Sequence, residues 1–450
     1  MAVLPQKIDM KPRPRQHTTS RTPLIAGAAS QSGAVFNLST TIVGAGIMAL
    51  PAAVKALGLI PGLLAIAAAA KLTESSIEMI VRSGRVSSPK PAAAAASYAD
   101  LVGESFGSAG KALTRACVVI NNLGMLVVYM IILGDVLSGT SSGTTHHTGV
   151  IEGWYGPQWW TSRTFLLLFT TLFVFAPLIS LKRVDSLRYT SALSVALAFV
   201  FVAITAIVAV VKLFDGTASM PRLLPEMVDW KLFTTVPVLI TSFVCHYSIH
   251  PIESELRDPG QMMRIVRVSL TLCTSVYMAT SLFGVLLFGE GTLDDVLANF
   301  DVDLDIPLGA FLSDVVRVSY AVHLMLVFPI VFYSLRQNVD GLLFPRAVPL
   351  AQDKQRFFAT TAFLMALAFL GANYVPSIWD AFQFMGATTS VVIGFILPAA
   401  LTLRDVHGVA AKNDRILSWF MIFLAVSTSF VAILSDVYAF FGGRGDGDRA

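Results

Sequence analysis

The chain has 450 residues, 55% of them hydrophobic and only 14% charged, with a mean hydropathy of +0.69. Soluble domains carry about 25% charged residues, so a soluble globular protein is excluded and a polytopic membrane protein is implied. The net charge of +3 is too small to point to nucleic acid. Cys117, Cys245 and Cys273 lie in apolar segments without close spacing, so no disulfide framework and no metal site is indicated, and no cofactor is expected.

Residues 1 to about 30 are polar, contain proline and carry Lys7, Lys11, Arg13, Arg15 and Arg21, without the apolar core of a signal peptide. They are expected to be a disordered cytosolic tail. Hydropathy over windows of about 19 residues then predicts eleven spans. They lie near 32–57, 61–82, 112–137, 163–181, 189–212, 232–256, 264–288, 307–334, 356–373, 376–401 and 416–440. With the amino terminus in the cytosol, 23 Lys and Arg fall on that side and 7 on the other. The positive-inside rule supports that orientation. The loop 290–307 agrees, since it carries Glu290, Asp294, Asp295, Asp301, Asp303 and Asp305 and no Lys or Arg. It is expected to face a lumen or the exterior.

The first span, GAVFNLSTTIVGAGIMALP from Gly33 to Pro51, is interrupted by Gly44-Ala45-Gly46. Backbone unwound at bilayer depth survives only where it is buried in protein or lines a watery cavity. The N–H groups that start the following half-helix, from Ile47 on, would suit an anion. A Gly-x-Gly also lets a second helix pack closely, so the triplet alone leaves two readings open.

The sixth span supplies a second candidate break. There Cys245, His246, Tyr247 and Ser248 lie at membrane depth just before His250-Pro251, and a proline frees a carbonyl three or four residues back. Spans one and six take corresponding places if residues 31–212 and 232–401 are two five-span repeats. Five is an odd number, so the repeats insert with opposite orientation, the pattern of inverted-repeat transporters. The eleventh span, 416–440, then stands outside the pair. Two interrupted helices in matching places point to a substrate site at the midplane, which favours the functional reading of the glycines.

Other ionisable residues at membrane depth are weighed singly. Lys71, Glu74, Glu78 and Arg82 share one helical face and are expected to pair. Asp314 and Arg317 are expected to do the same, and His323 to be a hydrogen-bonded helix contact. Glu253 and Glu255, below the sixth-span break, offer a protonatable group on the cytosolic path or a solvated helix end beside Arg257. Asn121, Asn122 and Tyr129 of span three either reach the site or bond neighbouring helices. Proton-coupling candidates are Glu253, Glu74 and His246. No phosphate loop, catalytic triad or metal-ligand cluster is visible, so an enzyme is not expected.

The run FNLSTTIVGAGIMALP, the sixth-span HYSIHPIESEL and the eleven-span layout with a basic tail resemble the amino acid/auxin permease family from about Gly33 to Tyr438. Within it the chain is most similar to plant vacuolar exporters related to animal sodium-coupled neutral amino-acid transporters. The resemblance implies an all-α LeuT-type fold, a 5+5 inverted repeat plus one peripheral helix, in a vacuolar or other endomembrane. It also implies secondary transport of a zwitterionic amino acid by alternating access, as symport or export. The expected substrate-binding set is Thr40, Thr41, Val43, Gly44, Ala45, Gly46, Ile47, Cys245, His246 and Tyr247. The expected partners are an amino acid, the lipid bilayer and protons. The sodium-coupled relatives carry Asn where this chain has Thr40, and Thr where it has an apolar residue just before Pro329. Proton coupling or sodium-independent flux is therefore expected. The alternative from another class is an amino-acid receptor or scaffold that signals without net transport.

Overall fold

The computed structural model describes residues 29–87, 97–142, 145–181, 184–225, 231–301, 304, 306–375 and 378–442. The expected amino-terminal tail, except its last two residues, lies outside the described residues. Apart from a short antiparallel hairpin, Thr140–Ser142 with Thr145–His147, the regular structure described is helical. That is what hydrocarbon demands, since a helix satisfies its own N–H and C=O groups.

Among the described residues seven helices are long and apolar enough to cross a membrane: Tyr98–Ser138, Asp185–Phe214, Pro259–Gly291, Gly309–Leu343, Lys354–Tyr374, Ala381–Arg404 and Lys412–Ser435. The pair Gln31–Ile42 and Gly46–Leu57, bent by 54°, makes eight. At the places of the other three expected spans lie the helices Leu59–Ser87, Arg163–Ile179 and the pair Lys231–Phe243 and His246–Glu255. They are more polar, shorter or interrupted, and fall below that measure, so eleven remains the expectation from sequence. Span numbers below follow this chain order.

A short helix precedes the third span. The helix Tyr98–Ser138 is two helices joined at a kink at Gly107, whose φ of +70° suits a residue without Cβ, and Ser97 caps the short first one with Asp100 closing a capping box. The eighth span continues to Leu343, nine residues beyond the expected end. Spans three and eight pack on each other, and spans five and seven enclose the first half of span one. In the apolar windows of spans three, eight and ten, 72% of residues are buried, against 28% in span eleven, which leans on span ten and the first half of span six. Span eleven is thus peripheral.

Both expected breaks exist. In span one the chain leaves the helix at Val43 (φ −77°, ψ 90°) and resumes at Gly46. In span six it leaves after Phe243 and resumes at His246, with Cys245 at φ −131° and ψ 7°. The second break therefore lies six residues before Pro251, not beside it. Pro251 sits inside the second half-helix.

Candidate functional site

An interrupted helix at membrane depth has to place its released backbone groups somewhere, and here tyrosines from other spans take the carbonyls. Tyr277 of span seven places its hydroxyl 2.6 Å from the Ile42 carbonyl and 2.9 Å from that of Ser242, touching both breaks at once. Tyr320 of span eight donates to the Gly44 carbonyl at 2.8 Å. The break closes partly on itself, through Gly44 N–H to Ile42 at 3.0 Å and Ile47 N–H to Gly44 at 3.3 Å. Tyr129 of span three points its hydroxyl at the same place, within reach of the Ala45 backbone but without a hydrogen bond of ordinary geometry.

The two half-helices meet at a glycine. A Cβ on Gly46 would lie 2.7 Å from Ser242 Oγ, 2.8 Å from its Cβ and 3.0 Å from its Cα. A Cβ on Gly44 would collide with the Tyr129 hydroxyl oxygen and lie 3.0 Å from its Cζ. So Gly46 permits close helix packing, while Gly44 leaves room for a tyrosine tip.

Every residue of the expected binding set is buried, but the side chains serve different ends. Thr40 donates to the Ser191 carbonyl of span five at 3.0 Å, and Thr41 to Asn37 on its own helix at 2.9 Å. Val43, Gly44, Ala45, Gly46 and Ile47 form the break and the first turn after it. Cys245 forms the second break. His246 opens the following half-helix with Nε2 2.7 Å from Ser76 Oγ and no partner at Nδ1. Tyr247, one residue on, is buried and belongs to an apolar cluster that also holds Ile240, Val391 and Val118. A chain of polar contacts flanks the site, in which Thr241 donates to Ser390 at 3.2 Å and Ser390 to Asn121 at 2.8 Å.

The coupling candidates Glu74, Glu253 and His246 have separate partners. Glu74 binds Lys71 at 2.9 Å and Arg267 at 3.0 Å, while Arg82 pairs with Glu78 at 3.6 Å and Asp414 at 2.7 Å. The expected pairing on span two is present and ties it to spans seven and eleven. Glu253 faces Arg85 at 4.0 Å, and Glu255 accepts the backbone N–H groups of Val184 and Asp185 at 3.2 and 2.6 Å. Neither is the solvated neighbour of Arg257 that was one expectation. The expected Asp314–Arg317 pair is also corrected. Arg317 reaches Asp301 at 3.5 Å and the Thr148 carbonyl, and Asp314 accepts from Trp154 Nε1 at 2.8 Å, because surrounding loops fold over that helix end.

Contacts join the elements on both faces. On the face of the acidic loop, Val296 N–H donates to the Met48 carbonyl at 3.2 Å, Lys55 binds the Thr292 carbonyl at 2.6 Å, and Arg222 grips Glu290 with two bonds of 2.7 Å. On the opposite face Ala29 N–H donates to the Glu255 carbonyl at 2.7 Å. The breaks lie between, and their residues are buried.

Residues 27–440 match the family described as transmembrane amino acid transporter protein. The chain belongs to that family. It is 56% identical over 419 residues to amino acid transporter AVT6B of Arabidopsis thaliana, covering 92% of this chain and 91% of that protein. It is 57% identical over 417 residues to amino acid transporter AVT6A of the same plant, covering 92% and 89%. Among solved structures it resembles the Eremococcus coleocola manganese transporter, with a TM-score of 0.60 at 12% identity over 92% of this chain and 87% of that one. It also resembles MhsT solved with L-phenylalanine, with a TM-score of 0.54 at 14% identity over 91% and 99%. At such identities the likeness establishes the fold, which is LeuT-type. The chain is a multi-pass membrane protein of a transporter family.

The tyrosines at the breaks, Tyr277 and Tyr320, were not singled out from sequence. A signal was available, since a phenolic hydroxyl in mid-membrane needs a partner.

Proposed function

We propose that the chain moves amino acids across a membrane by alternating access, with the two broken helices forming the substrate site. The observation that carries this reading is the meeting of the breaks, with Gly46 against Ser242 and Tyr277 on the carbonyls of both Ile42 and Ser242. Helix starts offer N–H groups without intrahelical partners, and unwound segments offer carbonyls. A zwitterion matches both. The carboxylate takes the N–H groups of Ala45 and Gly46, and the ammonium takes carbonyls near Val43 and Cys245. Thr40 and Thr41 brace the first half-helix. Residues 31–212 and 232–401 act as the two inverted repeats, and residues 416–440 as an accessory span.

The membrane is that of the vacuole or another endomembrane, with the basic tail in the cytosol. Flux is sodium-independent or proton-coupled, with Glu253, Glu74 and His246 as first candidates for the titrating group. The relatives named amino acid transporters support the substrate class. The test is counterflow in proteoliposomes with a panel of labelled amino acids. Saturable exchange of at least one is expected. Folded, sealed preparations that exchange none of them would overturn the reading.

A further inference from the structure

Glu255 ends the second half of span six, and other spans hold both its carboxylate and its carbonyl. The carboxylate accepts the backbone N–H groups of Val184 at 3.2 Å and Asp185 at 2.6 Å. Those two residues open the helix Asp185–Phe214 of span five, where N–H groups have no acceptor within the helix and the macrodipole favours a negative charge. The Glu255 carbonyl, at the free end of its own half-helix, accepts the Ala29 N–H at 2.7 Å just before span one. A further bond closes the circuit, as Asn37 of span one donates its side-chain N–H to the Val184 carbonyl at 3.1 Å. Ala29, Asn37 and Val184 are buried, and Glu255 is half-buried.

We propose that Glu255 is a positioning residue that latches the face opposite the acidic loop, its carboxylate holding the start of span five and its carbonyl the entry to span one. The inference rests on the reading of the chain as an alternating-access transporter. In such a cycle one face opens while the other stays shut. Opening on the face of Ala29 draws the second half of span six away from span five, and both carboxylate bonds are then exchanged for water. Because the carbonyl and the carboxylate belong to one residue at the end of one half-helix, the two neighbouring spans are released together.

The tie from the same region to span two is of another kind. Arg85 donates to the Pro259 and Gly260 carbonyls at 3.1 and 3.3 Å and faces Glu253 at 4.0 Å, but its side chain is 46% exposed, so water competes for each contact. Glu255 instead satisfies two helix-start N–H groups, and a buried N–H left without a partner is costly. The bonds of the acidic-loop face, Lys55 to Thr292, Arg222 to Glu290 and Val296 to Met48, lie on the far side of both breaks. Loss of the Glu255 carboxylate therefore loosens one face and leaves the other shut, whereas loss of a residue that only supports the fold loosens both. Cys245, at the second break, is fully buried and ten residues before Glu255, which makes its thiol a reporter of access from either face.

The test compares the parental chain with Glu255→Gln, which keeps one acceptor oxygen but no charge, and Glu255→Ala, which keeps neither. A membrane-impermeant maleimide is added to sealed vesicles on one side and, separately, on the other, and labelling of Cys245 is followed by mass spectrometry. From the face of Ala29, Cys245 is expected to react several-fold faster in Glu255→Ala than in the parent, with Glu255→Gln in between. From the acidic-loop face neither variant is expected to gain. If Glu255→Ala does not fold, Glu255→Gln against the parent decides. Parental rates from the face of Ala29 overturn the proposal, as does faster labelling from both faces. Counterflow is measured in the same vesicles, and a parent that exchanges no amino acid would instead overturn the transporter reading.

Discussion

Tyr277 Oη lies 2.6 Å from the Ile42 carbonyl, while the same oxygen is 2.9 Å from the carbonyl of Ser242. A hydroxyl has one hydrogen for two acceptors, so the broken helices share a single donor. Tyr277→Phe leaves both carbonyls without it, at a cost of about 1–3 kcal/mol for a buried unsatisfied group. A lower melting temperature is expected in detergent, together with a loss of counterflow larger than that of a conservative change at an exposed site. Parental transport in Tyr277→Phe would show that the link between the breaks is dispensable.

The glycines of the first break separate by what lies beyond them. A methyl group on Gly44 meets the movable tip of Tyr129, whereas one on Gly46 meets Ser242 down to its Cα at 3.0 Å. Gly44→Ala is expected to reduce uptake, and Tyr129→Phe to restore part of it in the double variant. Gly46→Val is expected to abolish uptake with normal insertion, and Ser242→Ala not to relieve it, because backbone remains in the way. Parental uptake by Gly46→Val, measured in proteoliposomes with quantified incorporation, would mean that the site is misplaced.

Burial pushes the Asp295 carboxyl, on the acidic loop, up to about 7, with Asp135 and Asp294 adding to the rise and the Leu297 N–H opposing it. Between the ordinary carboxylate range and that value the folded chain holds a proton that the unfolded chain has released. The stability from this group is therefore complete at acid pH and is lost as pH rises toward neutrality. Asp295→Asn keeps the acceptor for Leu297 and removes the titration. Melting curves across that window should fall less steeply for Asp295→Asn than for the parent, by an amount on the order of a few kcal/mol at most. Equal slopes would rule out this carboxyl as a source of the pH dependence.

Much of this was legible in the sequence because the bilayer leaves few alternatives. Apolar length marked the spans, and Gly44-Ala45-Gly46 marked the first break to within one residue. Polar Cys245 and His246 at depth marked the second, but Pro251 drew its expected position toward the carboxyl end. The helix absorbs that proline, as it does Pro51, Pro237 and Pro329. What sequence concealed was partnership across distance. Tyr277 meets a carbonyl 235 positions away, and Tyr320 one 276 away. Local spacing misled in the same manner at Asp314 and Arg317, three apart on one helix but each engaged by a separate loop or helix. At Gly46 the choice between substrate cradle and helix contact needed the neighbouring helix itself.

Orientation follows from charge. A tag placed within residues 290–305 should be luminal or extracellular, and one before Thr22 cytosolic, because Lys and Arg stay on the cytosolic side. Protease protection in sealed vesicles reads this directly. Cleavage of the loop tag from outside, with the tail tag protected, would invert the assignment.

Coupling is where Thr40 matters most. Its hydroxyl donates to the Ser191 carbonyl at 3.0 Å, which holds the side chain against span five, and Val327 and Phe328, before Pro329, are buried and apolar. Sodium is a hard cation that needs several oxygens to replace its water shell. Here the side chains of Val327 and Phe328 offer none, and that of Thr40 is committed to a helix contact. A proton needs only one basic atom. Amino-acid flux measured under an imposed sodium gradient is therefore expected to match flux in a sodium-free medium, whereas an imposed proton gradient, with ionophore controls, should change it several-fold. Thr40→Asn, which restores an amide oxygen at that place but loses the bond to Ser191, should lower flux without creating sodium dependence, because span eight still supplies no side-chain oxygen at 327 or 328. A several-fold, saturable sodium stimulation of the parental chain would sink the case built on Thr40 and Val327.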